Sequence, residues 1–189
     1  YNTTTCRITR EYISTVDCGW LAAGLIIARQ AYGGEIAERA TKFLDEMDFG
    51  IFYDQNIGHL RLGYDVEKEA LSPYHYGLLA TEARVTSFIA IGKGDVPAEH
   101  WFRMYRTLPP DWDWQAQAPQ GSEKEYLGQK VFEGFYTYKE YKIIPSWGGS
   151  LFETLMPTLV MKEKELAPHG LGLNDRAMTE IQIAYATDE

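Results

Sequence analysis

Carboxylates are the groups in this sequence best placed to do chemistry, and two glutamates stand out by their surroundings. On a helix over residues 78–91, Glu82 shares a stripe with Leu78, Val85 and Ile89, so its side chain projects from an apolar face. Desolvation favours the protonated form of a carboxyl, the form a general acid needs to protonate a leaving oxygen near neutral pH. The competing reading is a structural ion pair with Arg84 or Arg103. Glu153 completes a Ser-x-x-Glu capping box with Ser150, which would turn its carboxylate back to the N-cap amide. The turn before it, Pro145-Ser146-Trp147-Gly148-Gly149, can bring an indole and backbone amides close to a ligand. Asp17 and Asp54 carry the same double meaning, one as an N-cap and the other as a turn residue.

Other chemistries lack their residues. His59, His75, His100 and His169 are isolated, with no His-Glu-x-x-His and no cysteine pair at metal-ligand spacing, so no metal site is expected. Gly92-Lys93-Gly94 lacks the Gly-Lys-Ser/Thr ending of a phosphate loop, and there is no Gly-x-Ser-x-Gly elbow. No cofactor is called for.

The elements that would position these carboxylates are mostly helical. Ser14, Thr15 and Asp17 offer N-caps to a helix running through Ala31, and Gly33-Gly34 supplies a left-handed stop. Ile36, Ala37, Ala40, Phe43, Leu44 and Met47 then mark one buried face of a second helix, an antiparallel neighbour of the first. Residues 51–53 and 59–62 read as a small hairpin, 78–91 as a helix, and Asp95-Val96-Pro97 as the opening of another. Residues 108–129 show no periodicity and read as a long loop of the kind that is usually functional or mobile. A second hairpin over 131–144 follows, then a helix from Ser150 kinked at Pro157, and a last helix capped by Asn174 or Asp175.

The chain has 189 residues, close to one average domain, with a formal charge of −9 and no basic run to follow a phosphate backbone. Nucleic acid is an unsuitable partner. The longest apolar run, from Trp20 to Ala28, is interrupted by Gly24 and falls far short of the ~20 residues of a membrane-spanning helix. Cys6 and Cys18 are the only cysteines, compatible with one bridge or two thiols. Aromatic residues reach 14%, several of them in polar surroundings such as Asp111-Trp112-Asp113-Trp114. Core packing accounts for most aromatics, but rings beside carboxylates also bind the apolar faces of sugars.

Four blocks carry a resemblance: residues 13–19 (ISTVDCG), 78–84 (LLATEAR), 88–103 (FIAIGKGDVPAEHWFR) and 145–157 (PSWGGSLFETLMP). In this order they resemble the glucoamylase-like domain, a bacterial group that includes endo-β-1,2-glucanases and the cyclisation region of cyclic β-1,2-glucan synthases. The resemblance implies a mainly α fold, a partial (α/α) toroid of paired helices with small β-hairpins on the loop side. It implies a single domain over residues 1–189, cut short at its C-terminal side, with a partner segment or second copy completing the ring. Glu82 and Glu153 fall where retaining transglycosylating relatives place catalytic carboxylates.

The expected activity is that of a glycoside hydrolase on a β-glucan, with β-1,2-glucan favoured. Glu82 would be the acid, and Glu153 the nucleophile or a positioning group. Asp17, Trp20, His75, Tyr76, Arg84, Arg103 and Trp147 are candidate contacts to an oligo- or polysaccharide. The alternatives are a non-catalytic glucan-binding domain and a transglycosylase. Carboxyls ~5–5.5 Å apart would favour retention and ~6.5–9.5 Å inversion. Polysaccharide hydrolysis would favour a secreted or periplasmic location.

Overall fold

The computed structural model describes residues 2–109 and 111–188. The chain divides into two compact units, Tyr1–Tyr76 with Thr86–Pro97, and Gly77–Val85 with Ala98–Glu189.

In the first unit, β1 (Tyr12–Ser14) leads into α1 (Thr15–Ala31), and Ser14 caps that helix by accepting the Asp17 amide at 3.3 Å. Asp17 is therefore an exposed first-turn residue, not the cap. Gly34, with a left-handed φ of 57°, opens α2 (Gly34–Glu46). A 3-10 turn (Phe49–Phe52) then precedes β2 (Tyr53–Asp54), β3 (His59–Arg61), β4 (Gly63–Asp65), β5 (Ala70–Leu71) and β6 (His75–Tyr76). These short strands form two antiparallel sheets, ordered β1-β4-β5 and β2-β3-β6. The core joins Ala22 of α1 and Leu44 of α2 to Phe49, Phe52, Leu60, Ala90 and Val96. Ala90 lies on α3 (Arg84–Lys93), which belongs to this unit from Thr86 onward. Close approach of α1 and α3 requires Gly19: a Cβ there would stand 1.9 Å from Thr86 Oγ1.

The second unit contains the segment before α3, then α4 (Glu99–Arg103) and a three-stranded antiparallel sheet of β7 (Gln120–Tyr126), β8 (Gln129–Tyr138) and β9 (Tyr141–Ile143). It continues through α5 (Leu151–Leu155), a 3-10 turn (Met156–Leu159), α6 (Glu163–Leu166) and α7 (Leu171–Asp188). Pro157 falls in that 3-10 turn, so the expected kinked helix is instead a five-residue helix followed by a change of winding. Gly172 lets α7 start against α6, since a Cβ there would lie 2.7 Å from Glu163 O.

The mainly α partial toroid is not what forms. The described residues are 43% helical with 20% in three small antiparallel sheets, a mixed α/β architecture. Two segments account for much of the difference. Residues 78–83 are not helical, because Leu78 bridges Tyr105 in parallel and the amides of Leu79 and Tyr105 donate to Tyr105 O and Gly77 O. The helix therefore begins at Arg84, and Glu82 sits in the turn before it, not on a helical stripe. Residues 120–126, expected as loop, form β7; six of its seven residues are exposed, so no alternation marked it as a strand. Asn174 and Asp175 are buried inside α7 and do not cap it; Asn174 Oδ1 instead accepts the Ile144 amide at 2.9 Å. No helix among the described residues is long and apolar enough to cross a membrane.

Candidate functional site

A dense polar construction in the second unit surrounds Glu153. Ser150 and Glu153 form the expected capping box: the Glu153 amide donates to Ser150 Oγ at 3.3 Å, and the Ser150 amide returns to Glu153 Oε2 at 3.3 Å. The carboxylate receives more than a cap needs. Ser146 Oγ and Ser150 Oγ donate to Oε2 at 3.1 and 3.0 Å, and the Gly148 amide reaches Oε1 at 3.1 Å and Oε2 at 3.0 Å. Burial would push the Glu153 carboxyl up, but the combined donors from Gly148, Ser150 and Ser146 outweigh it and hold the group below its usual range. Glu153 is a half-buried, ionised carboxylate at neutral pH. Gly148 leaves room for this arrangement, since a Cβ there would stand 2.7 Å from Oε2 and push the end of the Glu153 side chain aside. The turn is tied down by Gln182 of α7, whose Nε2 donates to Gly149 O at 2.8 Å.

Arg84 joins this turn to the segment carrying Glu82. Its Nη1 donates to Thr81 O at 3.0 Å and to Glu153 O at 3.3 Å, so one nitrogen gathers the backbone beside Glu82 and the backbone of Glu153. Nη2 donates to Thr154 O at 2.7 Å. The remaining capacity goes to a bidentate pair with Glu163, Nε to Oε1 at 2.7 Å and Nη2 to Oε2 at 2.8 Å, and to Asp175 Oδ1 at 3.4 Å. Arg84 is 0% exposed, so its guanidinium is committed to interior partners and not to a solvent-facing cleft. Glu163 and Asp175 are also buried. Burial, then the negative charge of Glu163, push the Asp175 carboxyl up to about 7 against the pull of Arg84. Glu82 is half-buried, with its Oε2 shielded from solvent.

Trp147 lies beside the Gly148 amide and is 48% exposed. Its ring stacks near Trp112, with centroids 6.1 Å apart and planes at 28°, and Trp112 meets Trp114 at 5.7 Å and 31°. Arg103 ends α4 and is half-buried.

The other candidate residues belong to the first unit. His75 Nε2 lies 3.1 Å from Asp54 Oδ2, which also receives Arg61 Nη2. Asp54 Oδ1 accepts the amides of Asn56 and Ile57 at 3.1 and 3.4 Å, the turn role anticipated for it. Burial would raise the Asp54 carboxyl, but His75, these amides and Arg61 together hold it low. Tyr76 pairs with Leu60 in the β2-β3-β6 sheet. Trp20 is half-buried on α1. Cys6 and Cys18 are both free thiols. Among the described residues, no group of three or more His, Cys, Asp or Glu side chains is arranged to hold a metal ion.

Sequence reasoning missed Glu163 and Asp175, because their link to Arg84 spans 79 and 91 positions and leaves no local signal. It also missed Gln115, whose Nε2 donates to Pro109 O and Trp112 O, and Gln117, which bonds both the amide and the carbonyl of Thr137 and so helps fix the loop carrying Trp112 and Trp114. Trp112 and Trp114 were visible as an acidic-aromatic alternation, but their approach to Trp147 was not.

No protein-family model matches the chain. It is 35% identical over 130 residues to the cyclic beta-(1,2)-glucan synthase NdvB of Rhizobium meliloti (strain 1021). That match covers 69% of this chain and 4% of the relative's length. The similarity supports a relationship to that family of synthases.

Proposed function

We propose that this chain acts on a β-glucan, with β-1,2-glucan favoured, through carboxylate chemistry at Glu82 and Glu153. The observation that carries the reading is the Arg84 guanidinium, which holds the backbones of both carboxylate-bearing segments on one nitrogen. Glu82, with its Oε2 withdrawn from water, is assigned the proton-donating role. Glu153, held ionised by its donors, is assigned the role of nucleophile or base. Arg84 becomes a positioning residue in this reading. Trp147 offers a stacking face, and Arg103 is a candidate contact. Asp17, Trp20, His75 and Tyr76 stay candidate contacts of the first unit.

Two forms of turnover fit this chemistry. Hydrolysis passes the glucosyl group to water, and transglycosylation passes it to a sugar hydroxyl; the relative's name favours consideration of the second. Incubation of the chain with linear β-1,2-glucan, followed by a reducing-end assay and product chromatography, separates them. New reducing ends indicate hydrolysis, while redistributed or cyclic products at constant reducing ends indicate transfer. In either case Glu82→Gln should lower turnover by at least ~100-fold, the lower end of a general acid's contribution. Unchanged turnover in that variant would sink the assignment.

A second reading, a non-catalytic glucan-binding domain, is favoured by the same donors around Glu153. Oε2 already accepts from Ser146, Gly148 and Ser150, and a carboxylate so engaged is a weakened nucleophile. Glucan binding without any product from the unmodified chain would select it.

A further inference from the structure

The tryptophan loop is irregular in backbone yet firmly held. Gln115 Nε2 donates to Pro109 O at 2.7 Å and to Trp112 O at 2.9 Å, while its Oε1 accepts the Tyr136 hydroxyl. Gln117 Oε1 accepts the Thr137 amide at 2.7 Å, and its Nε2 returns to Thr137 O at 3.0 Å. Two glutamines thus pin the loop to β8 as if it were a further strand edge. A loop fixed in this way presents its side chains already ordered, which lowers the entropic cost of binding.

What it presents is aromatic and largely open to water. Trp114 is 66% exposed and Trp147 48%, with Trp112 half-buried between them. Two exposed indoles against a half-buried third form an apolar patch of the kind that marks a binding surface. Their surroundings indicate which ligand. Asp111 and Asp113 flank Trp112 and are exposed, so hydrogen-bond acceptors alternate with apolar ring faces. A pyranose ring has the matching pattern, a C–H face bordered by hydroxyl donors. With a formal charge of −9 on the chain and two carboxylates at the wall, a neutral saccharide fits and an anionic one is repelled. The wall also adjoins the candidate chemistry, because Trp147 is one residue, ~3.8 Å along the backbone, from the amide that binds Glu153.

We propose that Trp147, Trp112 and Trp114 form a saccharide-stacking wall that holds a neutral gluco-oligosaccharide beside Glu153. This extends the binding surface by two indoles and rests on the β-glucan reading above. The test is calorimetric titration of the 189-residue chain, carrying Glu82→Gln to prevent turnover, with linear β-1,2-gluco-oligosaccharides. Trp147→Ala and Trp114→Ala, each added separately, should raise Kd roughly three- to tenfold, and Trp114→Phe should recover most of that loss. Far-UV circular dichroism establishes that the variants are folded, and the exposure of Trp114 makes its replacement the safer of the two.

The wall is overturned if folded alanine variants bind within about twofold of their parent, or if the parent does not bind. The two readings fail separately. Loss of turnover in Glu82→Gln with binding unaffected by the tryptophan variants removes the wall and leaves the chemistry. Tryptophan-dependent binding with turnover unaffected by Glu82→Gln does the reverse.

Discussion

Glu153 and Asp175 are two carboxyl groups of the same unit held by opposite strategies. Around Glu153 the donors are neutral: backbone amides and serine hydroxyls that favour the charged form and keep it ionised. Around Asp175 the decisive neighbours are charged, because Glu163 and Asp175 share the single guanidinium of Arg84. Burial first, and then the negative charge of Glu163, push the Asp175 carboxyl up to about 7 against the pull of Arg84, because one cation does not offset two buried carboxylates. Neutral dipoles produce a ready anion near the surface. Burial beside a second carboxylate produces a clamp sensitive to pH.

The largest effect should come from removing that cation. Arg84→Met leaves Glu163 and Asp175 buried together and strips donors from Thr81 O, Glu153 O and Thr154 O. A loss of about 3–5 kcal/mol in urea denaturation is expected. A loss near zero would mean that the clamp contributes nothing.

Asp175→Asn should sharpen the contrast. The Asp175 pKa rises from 3.8 to about 7 on folding, so the folded chain binds the extra proton between those values. Its stabilising contribution is complete below about pH 4 and is lost as pH rises through about 7. Asparagine removes this titration while keeping an acceptor for Arg84. The variant should therefore be more stable than the parent at pH 8, by on the order of 1–2 kcal/mol, with the advantage shrinking on acidification. Parallel denaturation curves at pH 5 and pH 8 test the sign.

Gly148→Ala should have the smallest effect and the opposite pH signature. A Cβ 2.7 Å from Glu153 Oε2 would displace the carboxylate from the Gly148 amide, at a cost of about 1 kcal/mol at pH 7. Glu153 is depressed in the folded state, so its contribution is present above the ordinary glutamate value and is lost as pH falls through the lower folded value. The variant should show a shallower loss of stability on acidification, measurable as a reduced pH dependence of the urea midpoint.

Local features were legible in the sequence because their causes are local. Ser14 ahead of α1, the turn at Asp54 and the Ser150–Glu153 capping box each depend on residues a few positions apart, and each formed. Helix α2 also formed, but its expected buried face is incomplete: Ala40 and Leu44 are buried, whereas Ile36 and Phe43 are 52% and 60% exposed. The helix expected over residues 78–91 lost its first part to a bridge with Tyr105, a partner well outside any periodicity window. β7 was invisible because an exposed edge strand needs no apolar alternation.

The candidate site divides along the same line. Glu153 could be singled out from its immediate neighbours. The apolar helical stripe that drew attention to Glu82 does not exist, and its place beside a shielded turn depends on Arg84.

The sequence by itself determined the capping donors around Glu153, the acidic charge that disfavours polyanions, and the alternation of indoles with carboxylates over residues 111–114. Only the tertiary structure decided which groups Arg84 would bind, that Asp175 would hold a proton near neutral pH, and that Trp112 and Trp114 would meet Trp147. Short-range hydrogen bonds are set by chain spacing, whereas sharing a buried cation or stacking distant rings requires the fold to bring remote residues together and exclude water from between them.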